Sequence, residues 1–89
     1  MKIVAVNCGG DYRTGTLRGL TVTKINAMLN MRPNIVDDPS KVKFSWGFTA
    51  DGVRCGVWDY KGSYKFKEFS VYGPHATLHQ LFGDHYARD

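Results

Sequence analysis

The sequence predicts an α+β fold: an antiparallel β-meander packed by two short helices, in the order β-α-β-β-β-α. One observation is a hairpin signal, Asp51-Gly52, with alternating side chains on both sides of it. Another is apolar residues at helical spacing near 22–30 and 75–82. The third is size, because 89 residues with 43% hydrophobic content are typical of one domain, here 1–89, with a modest core.

The N-terminal third combines a strand, a glycine-rich stretch and a helix. Residues 2–7 alternate around Ile3 and Val4, which predicts the first strand. Four glycines lie between positions 9 and 19, so we expect this stretch to be irregular. Thr21 is a suitable N-cap for a helix over 22–30, and a turn-rich connection follows.

The segment 41–60 predicts a hairpin with two unlike faces. Asp-Gly favours a two-residue type I′ loop, which fixes the register and sorts the side chains by alternation. The predicted core face is apolar except for one residue: Phe44, Trp46, Phe48, Ala50, Val53, Cys55, Val57 and Asp59. The opposite face carries aromatic, basic and small residues: Lys43, Ser45, Gly47, Thr49, Arg54, Gly56, Trp58 and Tyr60. A loop longer by one residue would exchange the two faces.

The C-terminal third predicts one strand and one helix. A second tight turn at 61–63 leads to a strand over 64–72, with a bulge between Phe66 and Phe69 where the alternation breaks. Pro74 suits the first turn of a helix, and Gly83 ends it. The tail 84–89 is expected to be loosely held.

The net charge indicates the kind of partner to expect, and the apolar runs and cysteines bear on the location of the protein. A net charge of +4 favours an anionic partner without requiring one. No apolar run reaches the ~20 residues that span a bilayer, so we expect no membrane association and a cytoplasmic location. In that compartment Cys8 and Cys55 stay reduced, and Cys55 is expected to pack as a small hydrophobic residue.

The predicted contact surface is the aromatic and basic face of the hairpin. Gly47 and Gly56 would leave a shallow spot without side chains at its centre. Exposed aromatic and arginine side chains are typical anchors of protein interfaces. Six residues are the predicted partner-binding set: Lys43, Arg54, Trp58, Tyr60, Arg13 and Arg18.

The glycine-rich stretch predicts a weak anion-binding site at the backbone amides of Gly9 and Gly10. It is not a P-loop, because Thr16-Leu17 stands where Lys-Ser/Thr is required. No nucleophile, base and orienting group can be assembled from the sequence, so we expect no catalytic residues and no enzyme.

The histidines and carboxylates favour structural roles. His75 and His79 have a metal-compatible spacing, but the pair has no accompanying ligand within the helix, so we expect neither a metal nor a cofactor. Asp59 faces the core, and we expect it to bond to Lys41, Lys61 or a backbone amide.

Several C-terminal motifs resemble a pattern in small uncharacterised bacteriophage proteins. They are Ser45-Trp46-Gly47-Phe48, Asp51-Gly52, Trp58-Asp59-Tyr60-Lys61-Gly62-Ser63, Ser70-Val71-Tyr72-Gly73-Pro74 and Leu81-Phe82-Gly83. The resemblance implies a phage accessory protein in the cytoplasm of the host cell. Such proteins commonly bind and block a host defence complex, as anti-CRISPR proteins do. The alternative is a protein that binds nucleic acid or sequesters a nucleotide signal, which would allow a homodimer with a pocket between subunits.

Overall fold

The computed structural model describes residues 1–7, 12–36 and 40–89. Within these residues the chain forms a six-stranded antiparallel sheet and two α-helices, so the predicted α+β class is confirmed. The strands are β1 (Ile3–Ala5), β2 (Gly15–Arg18), β3 (Ser45–Ala50), β4 (Val53–Trp58), β5 (Glu68–Tyr72) and β6 (Tyr86–Arg88). The helices are α1 (Val22–Leu29) and α2 (His75–Phe82).

The sheet order is β1-β3-β4-β5-β2-β6. The central β3-β4-β5 meander was predicted, and the first strand joins it at the edge by pairing with β3. Two strands were not predicted. β2 forms within the glycine-rich stretch, and β6 forms within the tail that we expected to be loose.

The β3-β4 hairpin has the predicted register. Asp51 and Gly52 both adopt positive φ, at 50° and 82°, as a type I′ loop requires. Pairing runs without a break from Ala50 opposite Val53 to Ser45 opposite Trp58. The Asp51 side chain adds a bond of its own, because Oδ1 accepts from the Lys2 amide at 2.8 Å and so ties the turn to the N-terminus.

Both helices pack on one face of the sheet, where the core lies. Thr21 caps α1 as predicted, and its hydroxyl accepts from the Lys24 amide at 3.1 Å. Trp46 is fully buried, and its indole Nε1 donates to Asn26 of α1 at 3.0 Å. On the α2 side, the space next to Gly73 is bounded by Cys55 and Leu78. The buried apolar residues are Leu17, Leu20, Ile25, Leu29, Trp46, Phe48, Ala50, Cys55, Val57, Phe69, Val71, Leu78, Phe82 and Tyr86.

The predicted bulge before β5 is replaced by a short 3₁₀ turn. The turn covers Ser63–Phe66 and ends at Lys67, whose φ of 57° lies in the left-handed region. Phe66 consequently faces solvent with 82% exposure, while Phe69 enters the core. The break in the alternation therefore marks a helical turn that precedes the strand.

β6 closes the far edge of the sheet because Gly15 lets it approach. A Cβ atom at Gly15 would lie 2.6 Å from both the Ala87 carbonyl oxygen and the Tyr86 ring. Asp89 continues the contact, since its amide donates to the Thr14 carbonyl and its carboxylate accepts from the Arg13 Nε at 3.0 Å. The tail is thus held by main-chain pairing and by an ion pair.

Candidate functional site: the helix-free face and a lysine pocket

The face of the sheet opposite the helices is the candidate contact surface, and we call it the helix-free face. Strand alternation and the observed register assign its members across five strands. They are Val4, Thr16, Arg18, Ser45, Gly47, Thr49, Arg54, Gly56, Trp58, Glu68, Ser70 and Tyr72.

Four of the predicted contact residues are found at the β3-β4 hairpin. Arg54 is exposed on the helix-free face near the Asp51-Gly52 turn, paired with Thr49 on β3. Trp58 is half-buried at the end of β4, and Tyr60 follows it with 47% exposure. Lys43 is exposed just before β3 begins. The predicted face is therefore partly open to solvent while its opposite face forms the core.

The centre of that face differs from the prediction. Gly47 and Gly56 are both buried, so the expected shallow spot without side chains is not open. The Asn34 side chain holds the backbone there: Oδ1 accepts from the Gly47 amide at 2.8 Å, and Nδ2 donates to the carbonyls of Gly47 and Val6. These bonds lie along the edge of the strand, where the Val6 amide also donates to the Gly47 carbonyl.

The two predicted arginines in the N-terminal third lie in different surroundings. Arg13 forms an ion pair with Asp89, so its guanidinium is engaged within the chain although its side chain is 54% exposed. Arg18 is exposed at the end of β2, opposite Glu68 on the same face. The Arg18 carbonyl shares a bond of 2.8 Å with His85 Nδ1. Arg18 thus remains available at the surface, whereas Arg13 fastens the tail.

A depression of about 190 Å³ lies on the helix-free face beside Trp58. Its walls are mixed: four of the lining residues carry hydroxyl groups, and one acidic and one basic side chain border it. Its lining residues are Arg13, Thr16, Tyr60, Ser63, Glu68, Phe69 and Ser70. Such a surface can accept hydrogen bonds from, and donate them to, a docking peptide segment.

A second concavity of about 360 Å³ lies at the end of the hairpin away from the Asp51-Gly52 turn. Four lysines and a single carboxylate line it. We call it the lysine pocket, and its lining residues are Ser40, Lys41, Lys43, Asp59, Lys61, Gly62, Tyr64 and Lys65. The sequence places these lysines on the meander but does not show that they meet, because the 61–63 turn has to bring the second pair back toward the first.

Asp59 fixes the backbone just before β3, which forms one wall of the lysine pocket. It is fully buried, and its Oδ1 accepts from the backbone amides of Lys43 at 2.9 Å and Phe44 at 2.7 Å. The expected backbone-amide partner is therefore found. Among the described residues its Oδ2 has no hydrogen-bond partner.

The remaining candidates have structural surroundings. Burial raises the pKa of the Cys55 thiol from 9.0 to about 11, which disfavours the reactive thiolate. His75 Nδ1 and the Tyr86 hydroxyl share a bond of 3.0 Å that links α2 to β6, and burial also raises the pKa of Tyr86. The part of the chain that the structure describes contains no group of three or more His, Cys, Asp or Glu placed to hold a metal.

Three residues named in the sequence-based predictions lie outside the described residues: Gly9 and Gly10, with their proposed anion-binding amides, and Cys8.

Neither described helix has the length and apolar character needed to cross a bilayer.

No protein-family model, curated protein or solved structure matches this chain.

Proposed function

We propose that this protein is a non-enzymatic binding protein whose helix-free face is its contact surface. The observation that carries the proposal is exposed Arg54 and half-buried Trp58 on a sheet face that neither helix covers, with Tyr60 exposed just beyond the end of β4. Tryptophan, tyrosine and arginine are the residues that most often anchor protein interfaces, because they combine large contact area with directed polar groups.

The depression beside Trp58, with its mixed polar and apolar walls, supports a protein partner. An interface needs hydrogen-bonding groups around its anchors, and Thr16, Ser63 and Ser70 supply hydroxyls there. Arg54 and Arg18 outnumber Glu68 among the charged members of the face, so an acidic patch is the complementary surface.

The resemblance to bacteriophage proteins gives the partner its proposed class. We propose that the face binds a protein complex of a host antiviral defence system and blocks it, in the manner of an anti-CRISPR protein. This mode of action needs a stable scaffold and a specific surface but no catalytic group, which agrees with a small domain whose chemistry-bearing side chains serve structural bonds.

The test is affinity capture from a bacterial host lysate, with and without nuclease, followed by mass spectrometry. The tagged wild type should retain a defined protein complex after nuclease treatment. The double variant Arg54→Ala/Trp58→Ala should lose that complex while keeping the wild-type circular dichroism spectrum.

A matched control uses a residue at the same hairpin but on the other face. Val53 is 37% exposed and lies directly beside Arg54, so Val53→Ala changes the hairpin without changing the helix-free face. Equal loss of capture in both variants, or full capture by the double variant, would contradict the proposal.

The second candidate function is binding of nucleic acid or of a nucleotide. The lysine pocket favours it, because clustered ammonium groups attract phosphates. Capture that is lost on nuclease treatment and that weakens steeply with salt would support this alternative over a protein partner.

A further inference from the structure

We propose that the lysine pocket is a phosphate-binding site for a ligand that carries two or more adjacent phosphate groups. The site lies at the end of the hairpin, and it shares only Lys43 with the predicted contact set. The proposal therefore does not depend on the helix-free face binding a protein.

The lining of the pocket has an excess of positive charge. Four lysines line the pocket, against the single carboxylate of Asp59. Among the described residues the only ion pair is that of Arg13 with Asp89, so none of these four lysines is neutralised by a salt bridge there. Such a cluster repels itself unless an anion occupies the space between its members.

Tyrosine rings contact two of the lysine ammonium groups. The Lys43 ammonium lies 5.6 Å from the centre of the Tyr64 ring and 3.5 Å from the Tyr64 hydroxyl. The Lys61 ammonium lies 5.3 Å from the centre of the Tyr60 ring. Cation–π contacts of this kind hold a lysine without consuming its charge. Tyr64 lines the pocket, so its contact places the Lys43 ammonium at the pocket wall, whereas Tyr60 borders the depression on the helix-free face.

The Tyr64 ring is itself held in place. It packs edge-on against Phe44, with ring centroids 5.0 Å apart, and the Phe44 amide donates to the buried carboxylate of Asp59. The pocket wall is thus fixed from the hydrophobic core outward through Asp59, Phe44 and Tyr64. A pre-positioned wall lowers the ordering cost of binding a small ligand.

Size and charge together select the ligand class. A volume of about 360 Å³ falls at the lower end of the range for small-molecule sites. Lysine ammonium groups act as point charges without a fixed fork, so they select charge density more than shape. Adjacent phosphates, as in pyrophosphate or a nucleoside polyphosphate, supply that density, and a single phosphate supplies less of it.

Isothermal titration calorimetry of the wild type with orthophosphate, pyrophosphate and ATP tests the proposal. Pyrophosphate and ATP should bind about tenfold or more tightly than orthophosphate, with affinities that fall as salt rises. The double variant Lys41→Gln/Lys65→Gln should weaken both by about tenfold or more, since two of the four cations are removed.

The matched control removes the same net charge elsewhere. Lys2 and Lys24 are exposed and do not line the pocket, so Lys2→Gln/Lys24→Gln should bind within about twofold of the wild type. Trp58→Ala should leave pyrophosphate binding unchanged, which separates this site from the helix-free face.

An additional titration with an oligothymidylate of about ten nucleotides distinguishes the source of the phosphates. Tighter binding of this strand than of ATP, still lost in Lys41→Gln/Lys65→Gln, would overturn the proposed ligand class and assign the pocket to a nucleic-acid backbone, whose phosphates are separated by sugars. Absence of binding to all four ligands, or equal loss in the Lys2→Gln/Lys24→Gln control, would overturn the proposal.

Discussion

Trp46 and Trp58 lie on opposite faces of the same hairpin, and their surroundings differ in kind. Trp46 is fully buried, donates to Asn26 of α1 and packs edge-on against Phe69 at 5.7 Å. Trp58 is half-buried on the helix-free face, paired with Ser45 on one side and Ser70 on the other. One tryptophan has apolar neighbours and a helix above it, whereas the other has hydroxyl neighbours and solvent.

The two tryptophans differ because a small domain is stabilised mainly by one face of its sheet. A short chain can bury only a limited apolar area, so nearly all of it must lie on one side of a single sheet. The other side then contributes less to folding and can carry aromatic side chains for contact. Substitutions on the face that the helices cover should therefore cost the most stability.

Trp46→Ala should strongly lower the free energy of unfolding, because Trp46 lies on the face that the helices cover. It removes the largest core side chain, leaves Asn26 without its donor and opens a cavity, at a cost of about 3–5 kcal/mol in the free energy of unfolding. Urea unfolding followed by circular dichroism measures the loss. Trp46→Phe, which keeps most of the volume, should cost clearly less, and equal costs would mean that volume does not decide stability here.

Asp59 is the one buried charged side chain among the described residues. Asp59→Ala leaves the amides of Lys43 and Phe44 without their acceptor and should cost about 1–3 kcal/mol by urea unfolding. Asp59→Asn retains an oxygen for both amides and should cost less than Asp59→Ala. If the two variants were equally destabilised, the charge and not the acceptor geometry would be what the fold requires.

Gly15→Ala should detach the last strand from the sheet. The new Cβ would meet the Ala87 carbonyl and the Tyr86 ring at 2.6 Å, so β6 must shift, at a cost of about 1–3 kcal/mol. Hydrogen exchange should show faster exchange of the Asp89 amide, which bonds to Thr14. The control Gly52→Asn, in a turn position with positive φ and open space, should leave exchange at the C-terminus unchanged.

Cys55 tests burial without altering stability. With a pKa raised to about 11, its thiolate fraction at neutral pH is about a hundredfold below that of a thiol with the ordinary value. In a Cys8→Ser background, a thiol reagent should therefore react slowly with the native protein, faster as the pH rises toward that pKa, and rapidly in denaturant. Rapid native-state reaction at neutral pH would show that this part of the core opens.

The hairpin was predictable because its information is local. Asp51-Gly52 fixes the turn, and alternation then assigns every pair from Ser45–Trp58 to Ala50–Val53. The helices were predictable for the same reason, since Thr21 and Gly83 mark one end of each.

The two additional strands were not predictable from local pattern. The segment Gly15–Arg18 becomes a strand only because β5 and β6 offer hydrogen-bonding partners on either side of it. The same long-range pairing orders the tail. Gly15 was a signal that admits two interpretations, because a glycine marks either a flexible loop or a close approach, and here it permits the approach of Tyr86.

The candidate sites divide in a similar way. The face of Arg54 and Trp58 follows from strand alternation alone. The lysine pocket does not, because it requires the left-handed conformations of Lys61 and Gly62, at φ 51° and 79°, to turn the chain back beside Lys41. The charged residues were visible in the sequence, but their meeting depended on the tertiary path.

The most direct measurement is the free energy of unfolding of Trp58→Ala, set against Trp46→Ala, together with partner capture by the same protein. We expect Trp58→Ala to lose about 1–1.5 kcal/mol, well below the loss at Trp46, and to fail in capture from host lysate. A loss of stability as large as that of Trp46→Ala, or undiminished capture, would contradict the division of the hairpin into a stabilising face and a contact face.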